Sequence, residues 1–147
     1  MSFSTALQRA YRDTRYWVFL PNACFELRVG RRHPELDAWL ARRGLSCWSL
    51  LTAWNPASCR LPLGRNRWRQ ARLTAALRAR GFAVFAGENR AAAGDWPVEA
   101  SCFVPGMSLR EARRWARAFG QNAFLAAKRK RAAALLWTGR ASVILSA

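Results

Sequence analysis

The chain carries one histidine and only eight carboxylates in 147 residues. A lone His33, just before Pro34, leaves no His-based triad and no zinc cluster, and reads as a helix-entry residue. The only close carboxylate pair is Glu35 and Asp37, in a helix's first turn, where acids meet the dipole favourably. Lysine is almost missing too: of 25 basic residues only Lys128 and Lys130 are lysines. No apolar run reaches the roughly 18 residues that span a bilayer, so no membrane is expected as a partner. Residues Met1 to Tyr11 lack a charged start followed by an apolar stretch, so no secretory signal is expected. Cys24, Cys47, Cys59 and Cys102 form no C-x-x-C pair, and without a signal they read as reduced thiols in a cytoplasmic protein. There is no G-x-x-x-x-G-K-[ST] loop, no G-x-G-x-x-G and no H-E-x-x-H, so neither cofactor nor metal is expected.

What is present is apolar and basic. Hydrophobic residues make up 52% of the chain, with eight Trp and eight Phe, too many for a disordered segment. The length suits one domain over 1–147 with a single sizeable core. The formal net charge of +17 attracts polyanions and opposes self-association. Compositional drift is the competing source of that charge, because Arg and Ala are both favoured by a GC-rich genome.

Hydrophobic periodicity and turn signals divide the chain as follows. A helix runs from a Ser4 cap to Asp13, with Leu7, Ala10 and Tyr11 on one face. Tyr16–Leu20 and Cys24–Val29 form a hairpin about Pro21-Asn22. Pro34 opens a helix with Leu36, Trp39 and Leu40, closed by Gly44. Cys47–Trp54 is a strand ended by Asn55-Pro56. Asn66 caps a helix that ends at Gly81, and Phe82–Phe85 is a strand. Gly87–Pro97 is a loop and Val98–Val104 a strand. Ser108 and Glu111 form a capping box for a helix ending at Gly120. Strands Asn122–Ala127 and Ala132–Trp137 flank the basic turn Lys128–Arg131, and Ser142–Leu145 is a last strand. Residues 47–127 thus spell β-α-β-β-α-β, an α+β pattern with a ferredoxin-like split core. The N-terminal α-β-β-α and the C-terminal strands extend that largely antiparallel sheet or cover its second face.

Four short motifs carry a resemblance. They are Thr52-Ala53-Trp54-Asn55-Pro56, Asn66-x-x-Arg69-x-x-x-Leu73, Gly94-Asp95-Trp96-Pro97-x-Glu99 and Phe119-Gly120-Gln121-Asn122-Ala123. In that order, over about Tyr11 to Trp137, the chain resembles an uncharacterised bacterial family, the domain of unknown function DUF3293. The resemblance implies a small bacterial protein and no particular activity.

Topology then suggests a site. In a βαββαβ sheet one edge gathers the first strand's end, the first helix's start, the middle loop and the last strand's start. Asn55, Asn66, Arg69, Asp95, Trp96, Gln121 and Asn122 fall at those places and suit a small anionic or planar ligand. Arg69 lies on the sheet-facing side of its helix, so its guanidinium either pairs with Asp95 or Glu99 or forks onto a bound anion. A second feature is the stripe Arg110, Arg113, Arg114 and Arg117, within about 100° on one helix face, opposite Leu109, Ala112, Ala116 and Phe119. Lys128, Arg129, Lys130 and Arg131 extend it if the turn lies alongside. The leading expectation is a non-enzymatic protein binding RNA or DNA backbone. A domain for a small anionic ligand at the polar edge comes second, and an enzyme of unnamed reaction third. An RNA-recognition motif fits poorly, since Phe103 is the only aromatic on Val98–Val104.

Overall fold

The computed structural model describes residues 3–139. Ser4 accepts a hydrogen bond from the Leu7 backbone and starts α1 (Thr5–Asp13). The hairpin β1 (Arg15–Leu20) and β2 (Ala23–Leu27) follows, and then α2 (Pro34–Arg42), with Pro34 in its first turn. His33 accepts the Arg28 N–H on Nε2, which fixes the neutral imidazole tautomer at that corner. Next come β3 (Cys47–Leu51), α3 (Leu63–Ala79), β4 (Phe85–Arg90), β5 (Glu99–Pro105), α4 (Leu109–Ala118), β6 (Ala123–Lys128) and β7 (Ala134–Trp137). The seven strands make one antiparallel sheet in the order β2-β1-β4-β5-β3-β6-β7. The strand opening at Cys47 lies beside the one through Val104 and antiparallel to it, Leu50 lying opposite Phe103.

Alternation sorts the side chains into two cores. Leu50, Phe103 and Leu125 point to one face, with Tyr16, Val18, Leu36, Trp39 and Leu40. Leu51, Cys102, Val104, Phe124 and Ala126 point to the other, under Leu73 and Leu77 of α3 and Ala112 and Ala116 of α4. The N-terminal hairpin extends the sheet beside β4, and α2 covers the second face. No helix among the described residues is long and apolar enough to cross a membrane.

Several boundaries differ from the sequence reading, each for a local reason. The strand expected over Phe82–Phe85 instead begins at Phe85 and continues through Arg90, where a loop was expected. Gly87 sits in mid-strand because the packing is tight: a Cβ there would lie 2.5 Å from Ser101 Oγ and 2.7 Å from the Trp17 carbonyl. β3 stops at Leu51, because Thr52 turns its hydroxyl onto the Ala100 carbonyl at 2.6 Å and receives the Trp54 N–H. Asn66 does not cap its helix. α3 begins three residues earlier, behind Pro62, and Asn66 is buried inside it. On α4, Leu109 is exposed rather than part of the apolar face. The strand expected at Ser142–Leu145 lies outside the described residues.

Candidate functional site

The four motifs meet, and Asn55 is the hub. Its side chain donates from Nδ2 to Glu99 Oε1 at 2.8 Å and accepts on Oδ1 from Asn66 Nδ2 and from the Leu61 backbone. Asn66 returns the contact by accepting the Asn55 N–H on Oδ1 at 2.9 Å. This paired-amide clamp holds Asn55 in a left-handed conformation, φ 43°, ahead of a 3₁₀ turn (Pro56–Ser58). Ala57 and Ser58 are left-handed too, at φ 54° and 59°. Three non-glycine residues in that region within four positions mark stored strain. The Phe-Gly-Gln-Asn motif docks on the same turn. Ala57 N–H donates to the Gly120 carbonyl, Gln121 Nε2 to the Trp54 carbonyl and Asn122 Nδ2 to Ser58 Oγ. Gly120 is needed there, because at φ 72° a Cβ would stand 3.0 Å from Pro56 Cβ.

Arg69 and Asp95 stand apart from this network. Arg69 contacts neither Asp95 nor Glu99. It donates from Nε to the Ala53 carbonyl and from its terminal nitrogen to the Phe119 carbonyl, bracing the end of β3 against the end of α4. Asp95 is exposed, and only its carbonyl is engaged, by Arg60, whose guanidinium lies 4.7 Å over the Trp96 ring.

Trp96 donates from Nε1 to Glu99 Oε1 at 2.8 Å, so both donors fall on one carboxylate oxygen. No hydrogen bond or ion pair reaches Oε2 among the described residues. Glu99 borders a cavity of about 240 Å³ roofed by Leu7, Ala10 and Tyr11 of α1. Burial pushes the Glu99 carboxyl above the usual carboxylate range, while the Asn55 and Trp96 hydrogen bonds pull it back. The same burial raises the Tyr11 phenol, which shares a hydrogen bond with Ser58. Tyr16, Asn89 and Glu99 lie directly across β1, β4 and β5. Asn89 Oδ1 is buried and has no hydrogen-bond partner, and neither has Ser101 Oγ, two residues beyond Glu99.

The model of a family described as a protein of unknown function (DUF3293) matches residues 51–124. The chain belongs to that family. The DUF3293 match spans all four motifs, so the clamp, the strained turn and Glu99 are all built within it, while Tyr11 and α1 lie before it. No curated protein and no solved structure gives a significant match.

The basic features of this DUF3293 chain divide. On α4, Arg113 donates to the Trp137 carbonyl and Arg117 to the Thr138 carbonyl, so half of the stripe is tied to the end of β7. Arg110 and Arg114 are exposed. The turn Lys128–Arg131 does not continue that stripe. It packs against α2 in the other layer, where Asp37 accepts the Lys130 N–H and Arg129 reaches the Leu45 carbonyl. A further basic surface, not singled out from the sequence, lies on α3: Trp68 is 59% exposed, with the Arg72 guanidinium 4.7 Å over its ring. Glu99 was the main site residue missed. It stood in the quoted Trp96-Pro97-x-Glu99 motif, and its i+3 spacing from Trp96 was the available signal.

Proposed function

We propose that the protein is a small-ligand binding domain whose site is the cavity between α1 and the sheet at the polar edge. One observation carries this reading. Asn55 and Trp96, from two of the four motifs, both donate to one carboxylate oxygen of Glu99 at the wall of a largely apolar cavity, beside the strained turn that begins at Asn55. Arg69 is committed to carbonyls, so the anionic ligand expected from the sequence has no cation to meet there. A purified sample screened by thermal shift against small amphiphiles of each charge type tests the reading. Some members should stabilise the native chain and lose their effect on Leu7→Trp, which fills the cavity from α1. If no compound stabilises the protein, or if Leu7→Trp responds as the native chain does, the cavity is not a binding site.

A second reading, RNA or DNA backbone binding, is favoured by the segregation of charge. α3 and α4 together carry nine arginines against one carboxylate, while α1 and α2 carry three against three. This moves the expected surface from the α4 stripe and basic turn to exposed arginines of the two helices, Arg65 and Arg72 on α3 with Trp68, and Arg110 and Arg114 on α4. If four phosphates are neutralised, log K on duplex DNA should fall with a slope near −4 against log salt, roughly −0.9 per contact. Changing those four arginines to Gln should flatten the slope. An unchanged slope, or no binding at low salt, defeats this reading. For the fold, we read the central strands as a ferredoxin-like core, supported by the order β4-β5-β3-β6 with helices α3 and α4 on one face.

A further inference from the structure

The ligand's chemistry follows from what the cavity wall contains and omits. No Arg, Lys or His is among its lining residues, although the chain has 25 Lys and Arg. A protein this basic has kept every cation out of one concave site that holds a half-buried carboxylate. The unmet hydrogen-bonding capacity there is on the acceptor side: no hydrogen bond or ion pair reaches Glu99 Oε2 among the described residues, and the neighbouring Asn89 Oδ1 is buried without a donor. A buried acceptor left unpaired is costly, so a donor arriving from a ligand at Asn89 relieves a standing cost. From these observations we infer that the cavity binds a primary amine on a compact apolar body, with the ammonium group held by Glu99 and Asn89.

This inference rests on the ligand-binding reading above and sharpens it. One ammonium carries three N–H donors and one positive charge, which matches one carboxylate and an adjacent amide oxygen. Polyamines are a poor match, since a second ammonium would meet no second carboxylate among the lining residues. Asn55, Ser58, Asn89 and Glu99 lie together through the 55–58 turn, the Asn55–Glu99 hydrogen bond and the β4–β5 pairing, and the remaining wall is mostly apolar, with Leu7, Leu50, Leu125 and Leu135 beside the polar Thr14, Thr52 and Gln121. The ligand is therefore amphiphilic, with its charge at one terminus. Tyr11, Tyr16 and Trp96 present aromatic walls near that terminus, where ring faces add to the attraction for a cation. Each water of a liquid occupies about 30 Å³, so the cavity holds a molecule of roughly eight to ten non-hydrogen atoms. An arylalkylamine is of that size. Arg60 stacks on the outer side of Trp96 and does not line the cavity, so it leaves Glu99 free for the ligand.

The test uses three probes of closely similar shape on the full chain: 2-phenylethylamine, 2-phenylethanol and phenylacetate, measured by calorimetry at pH 7.5. The amine should bind at least tenfold tighter than the alcohol, and the carboxylate should bind weakest. Glu99→Gln keeps an acceptor for Asn55 and Trp96 while removing the charge. In that variant the amine's advantage over the alcohol should vanish while alcohol binding persists. Equal binding of all three, or preference for the carboxylate, overturns the amine assignment and leaves the cavity reading standing. If none of the three binds and Leu7→Trp changes no other ligand's effect, both fail together. Should Glu99→Gln unfold, Asn89→Leu provides the second arm: it removes the amide acceptor, and an unchanged amine-to-alcohol ratio there counts against the inference.

Discussion

Replacing Asn66 separates two physical roles that look alike in a sequence. Asn66 is 2% exposed, accepts the Asn55 N–H at 2.9 Å, and donates to Asn55 Oδ1 at 2.8 Å and the Leu61 carbonyl at 3.2 Å. In Asn66→Ala the buried Asn55 N–H is orphaned, at a cost of about 1–3 kcal/mol. The other two bonds matter less, about 1 kcal/mol together, because Asn55 Oδ1 keeps the Leu61 N–H and the Leu61 carbonyl is only part-buried. Alanine's better helix propensity returns roughly 0.5 kcal/mol. The net loss is about 1.5–3.5 kcal/mol, a fall in Tm of roughly 5–11 °C for a chain of this size. Urea denaturation followed by tryptophan fluorescence measures it. Asn66→Ser is the decisive partner, since serine caps a helix about as well as asparagine but cannot form the two-way amide pair. Serine should therefore be as costly as alanine. A serine variant within about 0.5 kcal/mol of the native chain would mean that Asn66 works as a cap and that the clamp contributes nothing.

Arg69→Lys retains the charge but cannot hold the Ala53 and Phe119 carbonyls with one planar fork. Stability should fall by about 1–2 kcal/mol in the same denaturation assay without any ligand added, and no fall would remove the bracing role. Ser101→Ala has the opposite sign. It deletes a buried hydroxyl without a partner, so the chain should hold or gain up to about 1 kcal/mol, and a clear loss would reveal an unseen partner for that hydroxyl. Glu99 makes stability depend on pH. Because burial raises its folded-state pKa above the unfolded one, its protonated form is favoured in the native chain. Stability from this group is then fully present below the ordinary carboxylate range and is lost as pH rises through the raised value. Native protein should lose stability over that window relative to Glu99→Gln, and parallel curves for the two would contradict the assignment.

The α+β class, the largely antiparallel sheet, the order of the helices and the meeting of the four motifs were legible because they follow from alternation, capping and connection rules that act locally. Ser108 with Glu111, and Pro34 in a first turn, behave as their residue types require. The failures occur where a tertiary partner outbids a local signal. Gly87 and Asn89 read as turn residues, yet β1 and β5 supply pairing on both sides and draw them into a strand. Asn66 has a capping residue's chemistry, but Asn55, eleven positions away, claims its side chain. The partner of Arg69 was sought among carboxylates, since charge suggests charge. The two carbonyls it holds belong to chain ends that no sequence pattern reveals. The roof over Glu99 was equally out of reach, because α1 reads as an ordinary amphipathic helix until the sheet beneath it is known.

The left-handed run at Asn55, Ala57 and Ser58 bears on the entropy of recognition. Backbone conformations of this kind cost about 1–3 kcal/mol each, and here folding meets that cost before any ligand arrives. Asn55 and Ser58 are already fixed by Asn66, Asn122 and Tyr11. A bound molecule would find its polar contacts rigid and would lose little affinity to ordering them. The chain is correspondingly less stable than its packing alone would make it, and a ligand of the proposed kind would offset the difference by mass action. A glycine at position 57 would relieve strain and remove only one methyl group, but it would also widen the range of conformations the turn visits. Such a variant should gain little stability and bind with a larger entropic penalty, which makes this turn a poor target for stabilisation by design.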